Sequence, residues 1–217
     1  MKASIKLAAA ALIAALALQG QTQAALILSF SQNSGSNTVT AVNNGGSPNA
    51  STTISGADIV VSITGNNLGL GLGTEAYLTF SVTSIGPVVP VGLNLEQPFS
   101  GTFSITSAVG GGGTNYLSGS FTDAVFGSGA SLTLQAAQPP ESVVFTSDIA
   151  GAPLFLPRSL AWSFTNVTPA ANVSNNSLGS FTASISGNFS GSYVPEAGAL
   201  AVWAMLSVAG LAGVRRR

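Results

Sequence analysis

This 217-residue chain contains neither histidine nor cysteine, which removes most familiar enzyme chemistry and leaves carboxylates as the first candidates for acid–base work. Histidine bases, thiol nucleophiles, imidazole or thiolate metal sites and disulfides are excluded. Between residues 25 and 194 six acids, Asp58, Glu75, Glu96, Asp123, Glu141 and Asp148, face one cation, Arg158. Two carboxylates can hydrolyse a glycosidic bond when they sit about 5–10 Å apart. The pair nearest in sequence, Glu141 and Asp148, brackets a short strand that sets the two roughly 20 Å apart, so the acids read as solvated surface groups. No Gly-x-Ser-x-Gly elbow occurs, both lysines fall within the first six residues, and there is no Asp-x-Asp-x-Asp calcium loop. No catalytic residue, metal or cofactor is expected, and a lysine-free surface with one arginine cannot neutralise phosphates, which excludes nucleic acid as a partner.

Aromatic side chains are the remaining candidates for contact with a ligand. Tyr77 points away from the apolar face of its segment, and with Tyr116 it is the candidate for stacking on a glycan. Trp162 alternates with Leu160 and Phe164, which assigns it to the core.

The elements that must position these groups are strands. Ala76, Leu78, Phe80 and Val82 alternate with Tyr77, Thr79, Ser81 and Thr83, a period of two that gives a strand one buried face. The same rhythm returns at Phe99, Gly101, Phe103, Ile105 and at Leu117, Gly119, Phe121, and it is longest over 181–193. Further strands are expected at 25–31, 38–42, 59–64, 131–135, 142–146 and 160–165. Between them lie breakers such as Asn43-Asn44-Gly45-Gly46, Gly110 to Gly113 and Pro139-Pro140. Gly69 to Gly73 lacks dinucleotide-binding spacing and reads as a loop. Nine or ten short strands with such turns predict an all-β domain over 25–193, an antiparallel β-sandwich or jelly roll. Its outward positions are Ser, Thr and Asn rather than charged residues.

The two ends read as addresses. Lys2 and Lys6, the apolar run Leu7 to Leu18 and the small residues Thr22 and Ala24 predict a signal peptide over 1–24, cut between Ala24 and Ala25. At the other end, residues 197–214 carry no charge and are followed by Arg215, Arg216 and Arg217. As a helix they span about 27 Å, enough for a transmembrane segment whose arginines stop it on the inner side.

Val194, Pro195 and Glu196, followed by one apolar span and a terminal arginine cluster, resemble the PEP-CTERM sorting tail of exported bacterial proteins. Ala197 stands where that family has its second proline. The resemblance covers residues 194–217 together with the signal peptide. It implies a partner, a membrane-embedded protease of the exosortase type, that cuts near the motif. It also implies transient residence in the inner membrane as an outward-facing precursor, then a place at the cell surface or in an exopolysaccharide matrix. The expected function is that of a non-enzymatic surface or matrix protein of biofilm type, with a cell-surface carbohydrate-binding module as the alternative.

Overall fold

The computed structural model describes residues 25–33, 36, 38–45, 50–92, 94–128, 132–138, 141–149 and 155–192. In these residues the chain forms strands β1 (Ala25–Gln32), β2 (Val39–Asn43), β3 (Thr52–Asn66), β4 (Glu75–Ser84), β5 (Val89–Val91), β6 (Asn94–Thr106), β7 (Asn115–Ser128), β8 (Leu132–Gln138), β9 (Ser142–Thr146), β10 (Phe155–Thr168), β11 (Val173–Ser174), β12 (Ser177–Leu178) and β13 (Phe181–Ser192). Strands that follow one another in the chain are neighbours in one antiparallel sheet: β3 with β4, β4 with β6, β6 with β7, β7 with both β8 and β9, β8 with β10, and β10 with β13. β1 and β2 lie end to end between β13 and β3. The last strand thus meets the first, and the sheet closes into an up-and-down barrel of eight staves, β1/β2, β3, β4, β6, β7, β8/β9, β10 and β13.

This corrects the sandwich or jelly roll expected from the sequence. Both architectures use antiparallel strands with one buried face, but a sandwich consists of two facing sheets. Here β1 and β13 hydrogen-bond to each other from Ala25 opposite Gly191 to Ser31 opposite Ser186, so the ring is continuous around a single core.

A second correction concerns helix. The described residues hold one three-residue 3-10 turn, Val109–Gly111, and no helix long and apolar enough to cross a membrane. The transmembrane helix expected at 197–214 lies outside the described residues, as does the signal peptide. An inner-membrane-anchored precursor therefore finds no spanning helix to rest on among the described residues, and that placement is not retained.

The period-two pattern sends every second side chain into the barrel. Ten of the eleven phenylalanines are buried there together with Trp162. Eight staves enclose just enough room for side chains to fill, and the aromatic residues fill it. Trp162 lies with its ring 5.1 Å from Phe80, 5.7 Å from Phe121, 5.8 Å from Phe103 and 6.3 Å from Phe189, the spacing at which tilted and edge-to-face pairs attract. Such bulk fits only because glycines face inward beside it. A Cβ on Gly187 would come within 2.6 Å of Trp162 Cδ1 and 2.9 Å of the Ala161 carbonyl oxygen, and one on Gly119 within 2.2 Å of the Val144 carbonyl oxygen and 3.0 Å of Phe103. Rings on one stave thus occupy the space that the next stave vacates.

Outside, the staves present Thr79, Ser81 and Thr83 on β4, Ser100, Thr102 and Ser104 on β6, and Ser118, Ser120 and Thr122 on β7, all exposed or half-exposed. A strand barrel that spans lipid carries an apolar outer band; these three staves carry hydroxyls there.

Candidate functional site

Four of the acids, Asp58, Glu75, Glu141 and Asp148, accept hydrogen bonds from backbone N–H or hydroxyl groups. Asp58 sits at a bulge in β3, where the register shifts between Gly56 and Ile59, with φ at 48°. One of its carboxylate oxygens accepts from the Gly110 N–H at 2.8 Å and from the Thr79 hydroxyl at 3.3 Å, tying the β6–β7 turn to the outer wall. Asp148 accepts from the Asn115 N–H at 2.8 Å, and Glu141 from the Ala137 N–H at 3.2 Å. These last two flank β9 at its opposite ends. Among the described residues no group of three or more acids gathers as a metal ligand set.

The two tyrosines named from the sequence occupy different surroundings. Tyr77 lies on β4, half-exposed, in the same outward column as Thr79, Ser81 and Thr83. Its hydroxyl donates to Glu75 Oε1 at 3.2 Å. That hydrogen bond and the negative charge of Glu75 hold the phenol above its usual range, with smaller contributions from burial and Asp58. Tyr116, the second residue of β7, is half-buried and packs against the core. β6 runs between the two strands, so the tyrosines form no common platform. Trp162 is fully buried, and its indole N–H has no hydrogen-bond partner among the described residues.

No protein-family model, curated protein or solved structure matches this chain.

A buried polar cluster at one end of the barrel is the feature that sequence reading missed. Residues 169–180, including the β11–β12 hairpin, cross that end and are fastened by side chains from three staves. Gln97, 1% exposed, donates to Ser177 Oγ at 2.8 Å and to the Gly86 carbonyl at 2.9 Å, while its Oε1 accepts from the Leu178 N–H at 3.0 Å. Thr52, also buried, bonds Ser177 Oγ at 2.7 Å and the Leu178 carbonyl, and its N–H donates to Ser84 Oγ at 2.9 Å. Asn43 Nδ2 reaches the carbonyls of Ser174 and Leu178, each at 3.0 Å. The cavity left beside this hairpin, between Leu95, Gln97, Phe126 and Leu178, measures about 20 Å³, room for one water and no organic ligand. The only sequence signal for the cluster was a run of polar residues that composition assigns to the surface.

At the other end of the barrel the start of β1 lies beside the end of β13. Ala25, the first residue after the expected signal cut, is the first residue of β1 and pairs with Gly191 of β13. Ala24, the motif Val194-Pro195-Glu196-Ala197 and Arg215 to Arg217 lie outside the described residues.

Proposed function

We propose that this is an exported, non-enzymatic barrel of the cell surface or extracellular matrix, carrying a PEP-CTERM-like tail that an exosortase-type protease processes. The observation that carries the reading is the sheath of serine and threonine hydroxyls around a solid aromatic core. The ring cluster around Trp162 fills the middle of the barrel and the cavity beside Gln97 holds one water, which favours the outer wall as the working surface. Residues 25–194 carry a net charge of −5 and no lysine, so the wall stays hydrated through hydroxyls and amides and repels anionic polymers.

Replacing the motif tests this. In cells fractionated into cell-bound, surface and medium pools, Pro195→Ala combined with Glu196→Ala is expected to accumulate a form that keeps Arg217, whereas the parent protein loses it. Identical C-terminal peptides from the two proteins in every fraction would refute processing at this motif.

A further inference from the structure

The outward hydroxyls of β3, β4, β6, β7 and β9 stand in register across the strands. Ser55 faces Ser81, Ser81 faces Thr102, and Thr102 faces Ser120, one row across four strands. Beside it run Thr79, Ser104, Ser118 and Thr146 on one side, and Thr53, Thr83 and Ser100 on the other. Strand geometry spaces such groups about 4.8 Å across the sheet and about 6.8 Å along it.

The margins of this array are tied up within the protein. Ser118 shares a hydrogen bond with Thr146 at 2.8 Å, Thr53 shares one with Thr83 at 3.3 Å, and Thr79 donates to Asp58. Its middle is not: the side chains of Ser55, Ser81, Ser100, Thr102, Ser104 and Ser120 have no hydrogen-bond partner among the described residues. A second feature lies in the same column of β4, where the half-exposed ring of Tyr77 is steadied by Glu75. A ring whose hydroxyl is already held, next to hydroxyls that are open, suits a ligand with apolar C–H faces and many O–H groups. The charges at the margin, Asp58 and Glu75, are negative, so an acidic polymer is disfavoured.

We infer that the β3–β4–β6–β7 wall, centred on Ser81, Thr102 and Ser120 with Tyr77 at its edge, is a docking surface for a neutral, hydroxyl-rich polysaccharide. The ligand lies along the rows, exchanging O–H···O bonds with the open hydroxyls and resting one sugar ring on Tyr77. The inference goes beyond the proposed function and does not depend on the tail, so each can fail alone.

Co-sedimentation of the exported protein with microcrystalline cellulose, and its retardation in gels containing dextran or alginate, provide the test. Retention by at least one of the two neutral glucans and none by alginate is expected. Ser81→Ala, Thr102→Val and Ser120→Ala together should weaken that retention about tenfold or more. Tyr77→Ala should weaken it as well. The triple change Ser31→Ala, Ser163→Ala, Ser186→Ala, on the opposite wall, should leave it within about twofold. Circular dichroism of each variant confirms that the barrel has formed. Absence of retention by both neutral glucans, a preference for alginate, or equal losses from the two walls would overturn the inference.

Discussion

At the scale of single residues, the barrel depends on inward glycines as much as on the rings beside them. Gly187→Ala would push a Cβ onto Trp162 and onto the backbone of β10, and backbone cannot yield as a flexible side chain does. The expected loss is about 1–3 kcal/mol, read from chemical unfolding with circular dichroism. Trp162→Ala, which empties the middle of the ring cluster, should cost about 3–5 kcal/mol in the same assay. Trp162→Phe should cost clearly less, since it also removes a buried N–H that has no partner. The alternation that reveals these positions was plain in the sequence, and Trp162 was legible as core from its neighbours Leu160 and Phe164. The reason for glycine at 101, 119 and 187 was not, because it lies in rings and carbonyls of adjacent strands far away in the chain. Tyr77 can be examined through its own titration. The charge of Glu75 disfavours the phenolate, so Tyr77 should ionise above ordinary tyrosine, and Glu75→Gln should bring it down. Absorbance titration of the parent and Glu75→Gln proteins, each against its Tyr77→Phe counterpart, isolates that group.

At the scale of elements, the hairpin across the barrel end is held by amides and hydroxyls. Gln97→Ala would leave the Leu178 N–H and the Gly86 carbonyl without their side-chain partner in a buried place, at a cost of about 1–3 kcal/mol. Because residues 172–176 are otherwise exposed, the damage should stay local. Hydrogen exchange should quicken across 169–180 and remain slow in β6 and β13; uniform quickening of all staves would show instead that the end closure and the barrel open as one unit. Sequence reading placed most staves near their true positions, because period two is a local signal. It passed over β5 and the β11–β12 hairpin, which are too short to show a period, and Thr52 and Gln97, whose burial depends on partners up to about 125 residues distant.

For the whole molecule, closure is the property that local pattern could not reveal. A strand with one apolar face reads the same in a sandwich and in a barrel, and the pairing that decides between them joins residue 25 to residue 191. Since these ends leave the same rim, linking Ser192 to Ala25 and opening the chain at Gly71 in the β3–β4 loop should give a circular permutant that folds to the same barrel, visible as an unchanged near-ultraviolet circular dichroism spectrum. The same pairing sets Ala25 and Gly191 side by side at one rim of the barrel. Export and trimming would leave little more than the barrel itself, and the intact mass of the protein collected from outside the cell tests that most directly. The expected chain begins at Ala25 and ends between Val194 and Ala197. A mass that still includes residues 1–24, or that extends to Arg217, would contradict it.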